Sequence, residues 1–440
     1  MRFLRSALVL VTPVLAFARC NPSDSTVNNP DAAPVNECPA PSGPVIEHKS
    51  TITADETWSA DSVHRVTFGI SIKKGATLTI APCAIVKVGP AYAIVADGGN
   101  LVAEGTATRP IQFLADDPSQ PWGFIQAFAP GTIKLAYATV SDAGGEATNS
   151  FGAIEARGDQ LLPAQEILKV DHVTVKGSKN YGVSLRAGAA FTKDSAALTI
   201  TGSAKSPIRV LPRLVSNIPT GSYTGNTDDR ITIAPENYGD VNVEDVTMHD
   251  RGVPYRVGDP NTGTRFWIGP QHFTLTIEPG VKLQFGTAGL IATKENNGTT
   301  GVLVAKGTAD KPIVFTSAAP APAAGDWQGI EFSKVLDAAN ALDHVEVRYA
   351  GGPSGANSFH CETDGSFSKS EDAAVSIYVK PGAFITNSLF SDSKGAGINL
   401  AYSDDYVDLK ATNTFNAIAG CSVTRPRAKT TGACTASPCP

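Results

Sequence analysis

The sequence predicts an all-β protein, a parallel β-helix (solenoid) made of two homologous blocks of coils, and three observations lead to this prediction. Short apolar runs recur along the chain and alternate apolar with polar positions, which is the pattern of a strand with one buried face. Gly, Pro, Asn and Asp separate these runs about every 8–12 residues. A long unit is also written twice, and repetition on this scale is typical of solenoids.

The duplicated unit is clearest where residues 101–113 read LVAEGTATRPIQF and residues 303–315 read LVAKGTADKPIVF. Further segments match in the same order: 76–89 with 273–286, 121–128 with 326–333, and 135–145 with 342–352. The junction between the copies lies near residues 224–233. The chain therefore holds two copies of one series of short strands.

Short strands at this spacing would also suit a sandwich or a barrel, but two features favour a coil. Similar strand starts return at Leu78, Leu101 and Gly123, a period of about 22 residues. The Asn-Gly and Asp-Gly pairs of tight hairpins occur only at 97–98, 297–298 and 364–365. At about 22 residues per coil, residues 45–425 would form about 17 coils.

The repeated motifs, with their LTI, LVAxGTxxxPIxF and Trp-containing segments, resemble a pattern common in secreted bacterial right-handed parallel β-helix proteins, many of them surface lipoproteins. The resemblance implies structural roles for the repeated residues. These are Gly105 and Gly307 at a tight corner, Pro110 and Pro312 at a strand start, and Ile111, Phe113, Ile313 and Phe315 pointing inward. The first copy departs from the pattern at Cys83, where the second has Gly280, and this suggests a disulfide from Cys83 to Cys38.

The N-terminus has the features of an export signal peptide. Arg2 and Arg5 precede a short apolar segment, and residues 16–18 read Ala-Phe-Ala, a cleavage pattern. Cys20 follows in a segment that resembles the lipobox of bacterial lipoproteins, which implies lipid attachment at Cys20 and a place at the cell surface or outer membrane. Because Arg19 stands where the lipobox has a small residue, ordinary cleavage and secretion is the alternative. No later stretch approaches the roughly 18 apolar residues of a transmembrane helix.

The remaining cysteines form an even set, as expected for disulfides in an exported chain. The disulfide candidates are Cys38, Cys83, Cys361, Cys421, Cys434 and Cys439. Their connectivity is not readable from the sequence, although their positions near the two ends suggest staples on the termini. A zinc site at 434–439 is the weaker interpretation because no histidine lies nearby.

On these grounds the chain divides into five segments. They are an export signal at 1–19, a flexible Pro/Asn/Ser-rich tether at 20–45, β-helix block 1 at 46–223, β-helix block 2 at 224–423, and a Cys-containing tail at 424–440. The tether is too polar to bury enough apolar surface to fold. The formal net charge of −6 argues against nucleic acid or an anionic membrane surface as a partner.

Two features could bear on polysaccharide chemistry. Trp122 and Trp327 occupy one fixed place in the two copies, so packing at a corner is favoured over stacking on carbohydrate. Residues 225–231, GNTDDRI, resemble the acid cluster of polygalacturonases, but no histidine of the chain is flanked by glycines, so a capped turn is favoured.

Two further features have simpler explanations as well. The Asp-His pairs at 171–172 and 343–344 echo pectate lyase strands, yet the alternating pattern accounts for them. Asp404, Asp405 and Asp408 could hold Ca²⁺ through oxygen ligands, although a solvated loop is favoured.

The sequence contains no GxSxG, HExxH, Walker or dinucleotide motif. We therefore predict no catalytic or cofactor-binding residue and, apart from the Ca²⁺ hypothesis, no metal ligand. The function we expect is a non-catalytic, exported cell-surface scaffold or adhesive, ligand-binding β-helix, with glycans or proteins of the cell surface as partners. The alternative is a polysaccharide lyase or hydrolase that acts on acidic glycans.

Overall fold

A computed structural model of the protein describes residues 35–145, 152–159, 162–234, 241, 243–258, 265–287, 289–293, 295–332, 335–353, 372–402, 404–426 and 439–440. Asn36–Pro440 forms one compact unit, and Met1–Val35 is a second unit of which only Val35 is described. The predicted signal at 1–19, Cys20, most of the tether, Cys361 and Cys434 lie outside the described residues. None of the described helices is long and apolar enough to cross a membrane.

The strands, numbered in chain order, form parallel sheets, and the first two sheets belong to the first half of the chain. The first sheet holds β2 (Glu56–Trp58), β5 (Thr77–Ile80), β8 (Asn100–Glu104), β11 (Thr132–Ala136), the first half of β14 (Gln165–Lys176) and β16 (Ala189–Phe191). The second sheet holds β1 (Ile46–His48), β3 (Val63–Val66), β6 (Ile85–Val88), β9 (Ile111–Ala115), β12 (Ala138–Ser141), the second half of β14, β17 (Ala196–Thr201) and β19 (Gly221–Ser222). The long strand β14 bends at His172, whose φ is 51°, and so joins the two sheets.

The third sheet is the longest and runs through both halves of the described chain. Its 13 strands are β4 (Ile70–Lys73), β7 (Ile94–Asp97), β10 (Ile125–Phe128), β13 (Gly152–Arg157), β15 (Tyr181–Arg186), β18 (Ile208–Val210), β20 (Ile231–Ile233), β22 (Tyr255–Val257), β25 (Lys282–Phe285), β30 (Ile313–Ser317), β33 (Val345–Arg348), β36 (Leu389–Ser393) and β38 (Thr414–Ile418).

Two more parallel sheets belong to the second half. The fourth sheet holds β21 (Val246–Met248), β24 (Thr274–Ile277), β29 (Val302–Lys306), β32 (Ala341–Asp343) and β35 (Ile385–Thr386). The fifth sheet holds β23 (Arg265–Ile268), β26 (Leu290–Thr293), β31 (Gly329–Phe332), β34 (Ala373–Ile377) and β37 (Ala396–Leu400). A short 3-10 helix (Pro212–Asn217) and an antiparallel pair, β27 (Glu295–Asn296) and β28 (Thr299–Thr300), complete the elements described. The predicted all-β parallel β-helix is confirmed.

The coils are longer and fewer than the sequence suggested. Glu56 pairs with Leu78, 22 residues later, as predicted for the first coils. Ile330 pairs with Val375, 45 residues later, so this coil contains about twice as many residues as the first ones. Among the residues that the structure describes, the longest sheet has 13 strands, fewer than the predicted number of about 17 coils.

The repeated residues act as the resemblance implied. Ile111, Phe113, Ile313 and Phe315 are 0% exposed and stack in the core, and burying each side chain stabilises the fold by about 1.5–3 kcal/mol. The same alternation places every second residue of these strands on the outside. The core is thus the part of the molecule that the duplication preserves.

The corner glycines are required by close approach. Gly105 N–H donates to the carbonyl of Ala136 and Gly307 N–H to that of Asp343, both at 2.8 Å. A Cβ at Gly307 would lie 2.4 Å from the His344 oxygen, so a side chain would collide with the next coil. Glycine therefore makes room here for the neighbouring backbone.

The two halves use the sheets in different order. In the first half each coil visits the first, second and third sheets, whereas in the second half it visits the fourth, third and fifth. The matched segments 85–88 and 282–285 consequently lie in different sheets, the second and the third. The second sheet ends at β19, and the fifth begins beyond it at β23. The exact limits of the two blocks stay a prediction.

Two disulfides close the ends of the described fold. Cys38 and Cys83 are joined with their Cα atoms 5.2 Å apart, the pairing suggested by the departure at Cys83. Cys421 and Cys439 are joined with the same Cα separation. The disulfides close loops of 45 and 18 residues. Each therefore lowers the entropy of the unfolded chain and stabilises the folded state by about 3–4 kcal/mol.

Candidate functional site

A row of outward side chains crosses the third sheet within the first half of the chain. The register pairs Gln126 with Glu155, Glu155 with Ser184 and Ser184 with Arg209. These residues therefore stand on four successive strands, about 4.8 Å apart. Their neighbours in sequence point into the core, as Ile154 does at 0% exposure.

This row is outward-facing and yet buried. Glu155 and Ser184 are 0% exposed, and Gln126 is 6% exposed. Within the part of the chain that the structure describes, neither carboxylate oxygen of Glu155 has a hydrogen-bond partner, and neither has the Ser184 hydroxyl or Nη1 of Arg209. A buried polar group without a hydrogen-bond partner lowers the stability of the fold by about 1–3 kcal/mol. Because such atoms occur on three adjacent strands, we take this row as the candidate functional site.

Positive charge surrounds Glu155. Nη1 of Arg186 lies 3.8 Å from its Oε1, and Arg157 and Arg209 act on it electrostatically. Arg157 and Arg186 are also paired in register, so two like charges face each other on adjacent strands. One carboxylate stands against three guanidinium groups, and the cluster carries excess positive charge.

Burial raises the pKa of Glu155 to about 7, because the charged form loses its hydration. Arg186, the nearby Gln126 amide, Arg157 and Arg209 oppose this effect without cancelling it. The Gln126 amide acts from close by without meeting the geometry of a hydrogen bond. Near neutral pH the carboxyl is therefore partly protonated. When it is ionised it offsets part of the positive charge of the arginines, and when it is neutral it offsets none of it.

A shallow groove of about 250 Å³ lies on the first sheet. Thr132, Glu166, Lys169 and Asp194 contribute to its lining. Its charges already have partners, since Nζ of Lys169 donates to Asp194 at 2.7 Å. The row on the third sheet is the stronger candidate because its polar groups lack such partners.

The two tryptophans singled out in the sequence lie in the core. Trp122 and Trp327 are 0% exposed. Each Nε1 donates a 2.7 Å hydrogen bond to a carbonyl of the next corner, that of Ser141 or Arg348. The corner-packing interpretation is confirmed, and neither ring offers a face to a sugar.

The acid cluster at 225–231 is a capped turn, as the sequence favoured. The Asp229 carboxylate accepts hydrogen bonds from the backbone N–H groups of Gly225 and Asn226, at 3.0 and 2.7 Å. Asp228 instead lies between Arg230 and Arg256. Its charge is thereby balanced inside the fold.

The Asp-His pairs lie at corners. His172 and His344 have φ of 51° and 49°, and each contacts the preceding aspartate, at 2.7 and 3.2 Å. The His172 ring stacks on Tyr137 of the previous coil, with ring centres 4.5 Å apart. These contacts make the pairs part of a corner stack.

The carboxylates proposed for Ca²⁺ have separate partners. Lys380 Nζ lies 3.8 Å from Asp404 and 3.3 Å from Asp405. Asp408 accepts the N–H of Lys410 at 3.0 Å. Among the described residues, no three His, Cys, Asp or Glu side chains are grouped to hold a metal ion. Calcium stays an untested prediction, while Cys439 is engaged in a disulfide and is not a zinc ligand.

The row around Glu155 was not predicted from the sequence. Each of its members comes from a different strand, and only the register across coils brings them together. The one available signal was a charge inside an otherwise small or apolar run, as in GAIEAR at Gly152–Arg157. Comparison with family models, curated proteins and solved structures finds no match for this chain.

Proposed function

We propose that the protein is a non-catalytic, exported binding protein whose third sheet recognises an acidic glycan. The observation that carries this proposal is the row of the buried Glu155 and Ser184 and the partly exposed Arg209, with unpartnered polar atoms and two further arginines beside it. A guanidinium fork matches a carboxylate or sulfate group in two parallel hydrogen bonds. An anion between Arg157 and Arg186 would relieve their mutual repulsion.

The spacing of the row suits an extended polymer that contacts the partly exposed Arg186 and Arg209. Beyond Arg209 the same outward line continues through Thr232, Arg256, Gln284 and Thr316. Arg256 stands two strands past Arg209, about 10 Å along the sheet. Regularly spaced polar groups on one line fit a ligand whose own acidic groups repeat.

Calorimetric titration with oligosaccharides of polygalacturonate tests the proposal. Replacing Arg186 and Arg209 together by glutamine should weaken binding at least tenfold, because two charge-assisted contacts are lost. Arg109→Gln is the matched control, since Arg109 is exposed on a different corner. Equal affinity in the double variant and the control would refute the proposed site.

Binding should also depend on pH. As pH falls from 8 to 6, Glu155 takes up a proton and no longer offsets the charge of the arginines, so the wild type should bind more tightly. Glu155→Gln should bind at pH 8 with an affinity close to that of the wild type at pH 6. A pH profile that is unchanged by this substitution would contradict the role given to Glu155.

The raised pKa of Glu155 is also what a general acid needs, so hydrolysis or elimination of acidic polysaccharides is the second candidate. Hydrolysis by the usual route requires a second carboxylate, roughly 5–10 Å away. On the strands either side, the corresponding outward residues are Gln126 and Ser184. Release of reducing ends or unsaturated products from polygalacturonate, with and without Ca²⁺, would favour the enzyme over the binding protein.

We also propose anchoring through a lipid on Cys20. The two disulfides agree with an oxidising compartment, which supports export. Metabolic palmitate labelling should mark the wild type and not Cys20→Ser. Absence of label from both proteins would mean ordinary secretion.

A further inference from the structure

The second half of the chain has its own outward row, on the fifth sheet. The register aligns Trp267 with Ala292, Ala292 with Glu331, Glu331 with Ser376 and Ser376 with Asn399. In the duplicated segments 121–128 and 326–333, Glu331 takes the place of Gln126. Each copy thus has one glutamate in its outward row. In the first copy, Glu155 lies on the strand after that of Gln126, whereas in the second copy Glu331 lies on the strand that corresponds to that of Gln126.

The start of this row is aromatic and open to solvent. In β23, Phe266 and Ile268 are 0% exposed in the core, while Arg265 and Trp267 face outward and are partly exposed. The Arg265 guanidinium lies 5.9 Å from the centre of the Trp267 ring. Trp267 stands two strands from Glu331, about 10 Å along the sheet, so a small ligand could contact both.

The charge around Glu331 differs from that around Glu155. Burial raises the pKa of Glu331 to about 7, and Arg265 alone opposes the effect. One acid and one arginine balance each other, without the excess of guanidinium groups found on the third sheet. The row offers the carboxyl of Glu331 and the hydroxyl of Ser376, which are groups that bind sugar hydroxyls, beside an aromatic side chain. It ends at Asn399, which is 0% exposed and accepts a hydrogen bond from Thr424.

We propose that the partly exposed part of the outward row of the fifth sheet, from Trp267 to Ser376, is a second binding site and that it takes a neutral sugar. The ring of the sugar packs on the Trp267 indole, and its hydroxyls bond to Glu331 and Ser376. This proposal does not depend on the anion site of the third sheet. It makes the protein a two-site glycan binder whose duplicated halves recognise different sugars.

Tryptophan fluorescence of the wild type gives a direct test. All four tryptophans are described, and Trp58, Trp122 and Trp327 are 1%, 0% and 0% exposed. Trp267 is therefore the indole that a ligand can reach. Titration with cello-, xylo- and manno-oligosaccharides should give a saturable change in emission with at least one of them and should protect the protein from acrylamide quenching. The absence of a saturable change up to about 10 mM sugar would overturn the proposal, because a dissociation constant above that concentration is weaker than that of specific binding.

Three single variants show which residues the bound sugar contacts. Trp267→Phe should abolish the change in emission, and Glu331→Gln should weaken binding of the active sugar at least tenfold by calorimetry. Glu155→Gln serves as the control and should leave neutral-sugar binding unchanged while it alters the pH profile for polygalacturonate. Neutral-sugar binding that survives in Glu331→Gln and is lost in Glu155→Gln would move the site to the third sheet and refute this inference.

Discussion

The outward rows of the third and fifth sheets arise from matched segments of one duplicated unit, and they differ where the core does not. Trp122 and Trp327 make the same buried hydrogen bond in both copies. The rows outside them differ in charge, with three arginines around Glu155 and one near Glu331. The two copies therefore share the core residues that stabilise the coil and differ in their outward rows. This difference is why we place the binding sites on the outward rows.

The buried tryptophans that both copies share should give the greatest loss of stability when they are replaced. Trp122→Ala and Trp327→Ala should each lower the free energy of unfolding by about 3–5 kcal/mol, because each leaves a large cavity and an unpaired carbonyl. Trp267→Ala should lower it by less than about 1 kcal/mol, since that ring is partly exposed. Urea denaturation measures all three. A loss at Trp267 as large as at Trp122 would make Trp267 a core residue.

The next effect concerns the cysteine that distinguishes the first copy. Cys83 has φ of 73° and its counterpart Gly280 has φ of 89°, so the two corners share one left-handed conformation. Cys38→Ser should cost about 4 kcal/mol of stability by removing the disulfide. Cys83→Gly should cost only about 2–3 kcal/mol, since glycine also relieves the left-handed backbone. With a reducing agent present, Cys83→Gly should be at least as stable as the wild type; a less stable variant would contradict this reasoning.

The corner glycines allow a graded comparison. A Cβ would lie 2.8 Å from the nearest oxygen at Gly105 and 2.4 Å from it at Gly307. Gly105→Ala and Gly307→Ala should each destabilise the protein by about 1–3 kcal/mol, with the greater loss at Gly307. Thermal denaturation of the two single variants checks the order. The reverse order would show that the corners relax differently from the geometry.

The smallest effect is the dependence of stability on pH. Burial raises the pKa of Glu155 and Glu331 from 4.5 to about 7, so the folded protein holds these protons more tightly than the unfolded chain. Their contribution is complete below pH 4.5 and is lost as pH rises to about 7. At pH 8, Glu155→Gln should be about 1–3 kcal/mol more stable than the wild type, and Glu331→Gln less so because Glu331 is partly exposed. Equal stability of wild type and variants at pH 8 would mean that these carboxyls ionise freely.

Much of the coil could be predicted because it depends on local patterns. Ile111 and Phe113 alternate with polar residues, and Gly105 repeats at Gly307, so strand, corner and core follow from the sequence. Cys83 stood out because its copy is glycine. The handedness that the resemblance implied stays a prediction.

The outward rows could not be predicted because they depend on register between coils of unequal length. Glu155 meets Arg209 only after two further strands, and the spacing between residues paired on parallel strands ranges from 18 to 45 along the described chain. For the same reason, the sequence did not show that matched segments of the two copies, such as 85–88 and 282–285, lie in different sheets. The sequence also drew attention to Trp122 and Trp327, which repeat because they pack, whereas Trp267 is partly exposed.

Hydrogen–deuterium exchange with and without polygalacturonate oligosaccharides tests the central claim most directly. We expect the ligand to slow exchange in β13, β15 and β18, which carry Glu155, Arg186 and Arg209, and to leave exchange in the fifth sheet unchanged. Replacing Arg186 and Arg209 by glutamine should remove this protection. Protection confined to another sheet, or protection that persists in the double variant, would contradict an anion site on the third sheet.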